Sequence, residues 1–211
     1  MRIDAGAISL EGDLDLPPQA KGMVLFAHGS GSSRHSPRNR YVAQVLQQAG
    51  FATLLIDLLT EAEEAIDRQT GHLRFDIALL ANRLLGATDW LRDHPPTRHL
   101  HLGYFGASTG SAAALSAAAE RPELVKAVVS RGGRPDLAAP ALARVRAPTL
   151  LIVGAEDEPV IEMNREAMTR LTEKKLEIIP GATHLFEEPG TLEEVARLAC
   201  DWFERYLIAK T

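Results

Sequence analysis

From residue 22 onward, short apolar runs alternate with longer stretches in which apolar residues return every three or four positions. This rhythm restricts the fold more than any other feature of the chain. Strand, crossover helix and next strand in succession give a parallel sheet with helices on its faces. The expected strands are Met23–Ala27, Ala52–Asp57, Leu100–Tyr104, Ala127–Ser130, Thr149–Val153 and Leu176–Ile179. Each is a continuous apolar block bounded by Gly, Pro or charge, as in strands buried on both faces. Helical patterns cover Arg40–Ala49, Phe75–His94, Thr109–Ala119, Ile161–Thr172 and Leu192–Leu207. In the last, Leu192, Val195, Ala196, Ala199, Trp202, Phe203 and Tyr206 form one apolar face, which reads as core packing. Ahead of the parallel strands, AISLEGDLDL alternates apolar and polar residues and predicts a hairpin at an antiparallel edge of the sheet. The acidic stretch LTEAEEAIDRQTGHLR predicts a surface loop with one helical turn at most. The fold class is α/β: a mostly parallel, doubly wound sheet.

With 211 residues and 45% hydrophobic content, one domain spanning 1–211 is expected. A net charge of −5 lacks the basic field of a nucleic-acid binder, so no nucleic-acid partner is expected. No apolar run approaches the roughly 18 residues that span a bilayer, and MRIDAGAISLEGDLDLPP has no signal-peptide pattern, so no membrane role and a cytoplasmic location are expected. A monomer or homodimer suits this size. The only cysteine, Cys200, lies among apolar helix positions and is expected simply to be buried.

The run GYFGASTGSAAAL centres Ser108 in Gly106-Ala107-Ser108-Thr109-Gly110, after a strand-like segment and before a helical one. A strand–turn–helix setting with small neighbours is what a nucleophile elbow requires, because the strained turn leaves no room for side chains beside the exposed hydroxyl. Helix N-terminal amides there also favour developing negative charge. The plainer reading, that Ser108 merely caps the helix, explains the serine but not the paired glycines.

A serine needs a base, and the base an orienting carboxylate. His184, in LEIIPGATHLF, follows the final strand at the carboxyl edge, where open α/β sheets bind ligands. His94, His99 and His101 precede the strand that leads to Ser108 and read as solvated. Of Glu156, Asp157 and Glu158, Asp157 fits best, with Asp136 as the fallback acid. The oxyanion of a tetrahedral intermediate needs two donors. The Thr109 amide supplies one, and VLFAHGSGSSRHSP offers the Ser30 amide for the other, with Gly31 next and Gly29 and Gly31 allowing close approach of substrate. His28 reads as a structural hydrogen-bonding residue at the strand end. No second ligand stands at ligand spacing from His28, so no metal is expected.

Taken together, HGSGSS, GASTG, GAEDEPV and GATHLF, in this order at strand ends, resemble the α/β-hydrolase superfamily, closest to its small, capless dienelactone-hydrolase-like members. The resemblance covers the chain from about residue 20. It implies an α/β-hydrolase fold and a Ser108–Asp157–His184 hydrolase acting, without a cofactor, on an ester or related acyl bond of a small molecule. Dienelactone hydrolases typically carry a cysteine nucleophile, and position 108 is Ser, so lactone-ring specificity is not implied. The interval from Ala119 to Ala127 leaves no room for a lid. Alternatives are a noncatalytic binding or sensor protein on the same fold, and an acyltransferase.

Charge adds an expectation about substrate. No Asp or Glu occurs between Asp15 and Asp57, yet Lys21, Arg34, Arg38 and Arg40 do, and SRGGRPD brings Arg131 and Arg134 to the same sheet edge. Arginines there, Arg34 and Arg131 foremost, are candidates to hold an anionic substrate over Ser108. The plainer reading pairs them with the acidic stretch at Glu61–Asp67.

Overall fold

Residues 1–208 are described by the computed structural model of the chain. The strands are β1 (Arg2–Ala5), β2 (Ile8–Asp15), β3 (Met23–Ala27), β4 (Ala52–Ile56), β5 (Leu102–Ala107), β6 (Val125–Arg131), β7 (Thr149–Gly154) and β8 (Lys174–Ile179). They form one sheet in the order β1-β2-β4-β3-β5-β6-β7-β8, parallel from β4 to β8 and antiparallel where β2 meets β1 and β4. Every residue of β3, β4, β5 and β7 is buried, which is why these segments read as unbroken apolar runs.

The helices are α1 (Pro37–Gln48), α2 (Glu61–Thr70), α3 (Ile77–Asp93), α4 (Thr109–Glu120), α5 (Glu158–Met168) and α6 (Thr191–Leu207). Helices α1 and α6 cover one face of the sheet around Phe26, Leu46, Phe105 and Phe203. Helices α3 and α4 cover the other around Leu25, Leu84, Tyr104 and Leu115. Alanines fill α4 because the helix is buried nearly all round and lies close on the sheet. The carboxyl ends of β3, β5, β6, β7 and β8 therefore open onto one edge.

Three expectations need correction. The alternating AISLEGDLDL is a single strand, and the hairpin is closed earlier, between β1 and β2, with Gly6 at φ 74 in its turn. The acidic stretch is no loop: α2 runs ten residues, because Thr60 accepts from the Glu63 amide while Glu63 accepts from the Thr60 amide. That reciprocal capping box was readable in the sequence as Thr-x-x-Glu. Helix α1 also begins three residues earlier than the periodicity suggests, at Pro37 behind the Ser36 cap, with no acid in its first turn.

Candidate functional site

At the end of β5, Ser108 has φ 50 and ψ −120, a conformation that costs a non-glycine residue roughly 1–3 kcal/mol. Its side chain makes no capping hydrogen bond to α4, so the plainer capping reading does not hold. Backbone contacts lock the turn: the Ser108 amide donates to the Arg131 carbonyl at 3.1 Å, and the Ser108 carbonyl accepts from Ser111 at 3.0 Å. The flanking glycines are required by proximity. A Cβ on Gly110 would lie 2.3 Å from the Ala27 oxygen, and one on Gly106 would lie 2.5 Å from the Ser111 Cα. The hydroxyl is thus held at the sheet edge by backbone crowding behind it.

His184 and Asp157 come from adjacent strand ends. The loop after β8 is pinned by buried Ala182 and Phe186, and the Ala182 carbonyl accepts from the Glu156 amide at 3.0 Å. Gly154 lets the two loops touch, since a Cβ there would sit 2.3 Å from the Ala182 oxygen. Asp157 Oδ2 lies 2.6 Å from His184 Nδ1, with the carboxylate largely buried and the imidazole partly open. Gly132, at φ 53, runs beneath the ring, where a Cβ would be 3.4 Å from His184 Cε1. A carboxylate at Nδ1 favours the tautomer with its proton there, leaving the Nε2 lone pair free.

After β3, Gly29 lies against the elbow: a Cβ on it would be 3.1 Å from Ser108 Cβ. Among the described residues, the Ser30 and Thr109 amides have no hydrogen-bond partner. His28 accepts from the Leu58 amide at Nε2, 3.0 Å away, and its Nδ1 is 2.9 Å from the Gly29 carbonyl, so it braces the loop as a structural residue. Burial holds its pKa below the ordinary imidazole value.

A cavity of about 210 Å³ joins these parts, lined by Gly29, Ser30, Arg38, Asn39, Ser108, Arg131 and His184. A neighbouring cavity of about 280 Å³ shares Gly29, Ser30 and Ser32 with it and is lined beyond them by Gly31, Leu58, Leu59, Leu80, Arg74 and Thr109. Arg131 belongs to the first cavity. Gly31 borders only the second, at φ 68, with Arg74 beyond it.

Arg34 is not part of either cavity. It is paired with Asp57, its amide donating to the same carboxylate at 2.7 Å, and lies 3.6 Å from Asp13. The loop before α1 turns it toward the N-terminal strands, so its assignment to substrate is corrected. Arg134 is held bidentately by Asp136 at 2.9 and 2.7 Å, which removes Asp136 as an alternative partner for His184. His99 and His101 are exposed, and His94 stacks half-buried on Trp90. Cys200 is half-buried rather than fully enclosed. Sequence reasoning did not reach Asn39 or the anchor Phe186, and it named Arg38 only as one of a basic run, behind Arg34.

An open, mostly parallel sheet with a serine on a strained strand-to-helix turn, beside a histidine paired with an aspartate, defines an α/β-hydrolase. More narrowly, the chain belongs to the dienelactone hydrolase family, whose model matches residues 10–208. It is 67% identical to a dienelactone hydrolase of known crystal structure from Anabaena variabilis ATCC 29413, with a TM-score of 0.97 over 98% of this chain and 96% of that one. The ferulic acid complex of Est1E from Butyrivibrio proteoclasticus shares the fold, with a TM-score of 0.82 over 100% of both chains at 20% identity. A Mycobacterium tuberculosis H37Rv protein named "Putative phosphoribosyl transferase" is 58% identical over 208 residues, which is 98% of this chain and 46% of that protein. The chain thus spans about half the length of the curated relatives it matches. Among the described residues no helix is long and apolar enough to cross a membrane.

Proposed function

We propose that the chain is a serine hydrolase that cleaves an ester or related acyl bond of a small molecule through Ser108, His184 and Asp157. The observation that carries this reading is the strained, uncapped Ser108 sharing one cavity with a histidine whose Nδ1 is engaged by Asp157 at 2.6 Å. In the mechanism, Ser108 Oγ attacks the acyl carbon as His184 Nε2 takes its proton. The Ser30 and Thr109 amides, free of other partners, receive the oxyanion, a contribution typically of about 3–4 kcal/mol per donor. His184 then protonates the leaving group, and water regenerates Ser108 from the acyl-enzyme by the same steps in reverse. Asp157 keeps the imidazole oriented and stabilises its protonated form.

The relative's transferase name applies to a protein of which more than half lies outside the match. Acyl transfer to an acceptor other than water would use the same acyl-enzyme and differ only in what enters last. Labelling by a fluorophosphonate probe tests the nucleophile directly: the wild type should be modified at Ser108, and Ser108→Ala should not. Turnover of a p-nitrophenyl ester should fall about 1,000-fold or more in Ser108→Ala and in His184→Ala, with circular dichroism unchanged, because these residues act as a unit. Wild-type turnover in Ser108→Ala would sink the assignment.

A further inference from the structure

The cavity beside Ser108 has a wall that its proposed chemistry does not explain. Arg131, at the end of β6, is only 7% exposed, yet among the described residues it has no carboxylate partner. Its Nε and Nη1, which carry three of the five guanidinium N–H donors, have no hydrogen-bond partner. Nη2 has a single long contact, 3.4 Å to Asn39 Oδ1. The charge that acts on it is another cation, Arg38, which lines the same cavity. Burial first and Arg38 second push its pKa down, to about 10, so it stays charged at neutral pH.

Structural duties account for the stem but not for the charge. The guanidinium lies 6.0 Å from the Phe186 ring, and its backbone carbonyl receives the Ser108 amide. The backbone contact involves no charge, and a cation–π contact at 6.0 Å, the limit of its range, leaves the Nε and Nη1 hydrogens without acceptors. A buried cation without a counter-ion is unfavourable, and a ligand that brings an anion relieves it. Arg38 is better satisfied, donating to Glu187 at 3.0 Å from the cavity rim, though its Nε is also without a partner. The other arginines of this edge are occupied: Arg34 by Asp57 and Arg134 by Asp136.

We propose that Arg131, with Arg38 beside it, forms an anion subsite of the Ser108 cavity, and that the substrate carries a small oxyanion group, a carboxylate or a phosphate monoester, close to the acyl bond cleaved. The class of substrate rests on the reading of Ser108 as nucleophile; the anion subsite itself does not. A planar guanidinium donates two parallel hydrogen bonds to either group, which fixes orientation as well as affinity. The volume of about 210 Å³ lies below the roughly 300–1,000 Å³ typical of drug-sized ligands, so only a short spacer fits between anion and acyl carbon.

Two measurements test this. Titration of the Ser108→Ala protein with inorganic phosphate and, separately, with succinate should give saturable binding by calorimetry, weakened about 10-fold or more when Arg131→Gln is added. The stronger ligand identifies which oxyanion the site takes. In the active enzyme, the ratio of kcat/KM for mono-p-nitrophenyl succinate to that for p-nitrophenyl acetate should fall about 10- to 100-fold in Arg131→Gln, mainly through KM. Arg131→Lys should keep part of the preference, and Arg34→Gln, outside the cavity, all of it. If Arg131→Gln does not fold, Arg131→Lys and Arg38→Gln carry both measurements. Equal binding to both proteins, or an unchanged ratio, overturns the subsite. Failure of fluorophosphonate labelling with phosphate binding intact would instead remove the hydrolase reading and leave the subsite standing.

Discussion

At the scale of single residues, one histidine in this chain is used for its chemistry in the proposed mechanism and another for the lack of it. His184 stands partly open beside Ser108, whereas His28 is buried behind the Ser30 loop and must stay neutral to keep its Nε2 lone pair on the Leu58 amide. Burial is the main cause of its lowered pKa, outweighing the Gly29 hydrogen bond and the more distant Asp57 and Glu64. The sign follows directly. Above the ordinary imidazole value of about 6.5, both folded and unfolded chains hold His28 neutral, and its contribution to stability is intact. Below that value the unfolded chain binds a proton that the folded one resists, so stability falls until the depressed folded pKa is passed. The slope from this group is at most about 1.4 kcal/mol per pH unit. Urea unfolding midpoints measured from pH 8 to pH 5 should therefore decline more steeply for the wild type than for His28→Gln. Parallel declines would mean that His28 is protonated without penalty. Residue type together with position just after predicted strands was enough to expect Ser108, Asp157 and His184 near one another, since strand-end loops converge on one edge. It did not separate Arg34 from Arg38. These stand four positions apart in one basic run, and the turn into α1 sends the first to Asp57 and the second to the cavity.

Among elements, the parallel strands were the most legible, because burial on both faces leaves an unbroken apolar signature. Met23–Ala27 matches β3 end to end, while β5 is displaced to Leu102–Ala107 since the chain turns through Thr97–Leu100 before pairing. Helix α2 was not legible from periodicity: it is polar, and the capping box that starts it is a local hydrogen-bonding pattern rather than a hydrophobic one. The order of strands and the packing of α4 on β3 are tertiary facts with only a trace in sequence, the glycines of the elbow. That trace is testable. Gly110 lies against two carbonyl oxygens, with a Cβ predicted 2.3 Å from that of Ala27 and 2.4 Å from that of His28. Backbone on both sides cannot rotate away, so Gly110→Ala must lift the start of α4 from the end of β3. The expected cost is about 1–3 kcal/mol or more. The same shift separates the Thr109 amide from the Ser30 loop, so fluorophosphonate labelling of the folded fraction should slow as well. Normal labelling with a normal melting temperature would show that α4 adjusts without consequence for the site.

The whole molecule places its reactive edge between two cores rather than on either one. Strand β5 is central in the sheet, pairs with β3 and β6, and contributes Tyr104 to the core under α3 and α4 and Phe105 to the core under α1 and α6. Ser108 continues directly from this strand, so its position depends on both cores being formed. Phe203 offers a remote test, since it is fully buried on α6, far along the chain from the elbow, and packs on β5, where a Cβ at Gly103 would lie 2.7 Å from its ring. Truncating such a ring typically costs about 3–5 kcal/mol. In a chain of this length that corresponds to a fall in melting temperature of roughly 6–20 °C. Because one continuous sheet couples the two cores, loss of helical circular dichroism and loss of fluorophosphonate labelling at Ser108 should shift together in Phe203→Ala, as a single cooperative transition. An early circular dichroism transition with labelling still intact would show that the α1–α6 face melts separately, leaving the elbow supported by the opposite core alone.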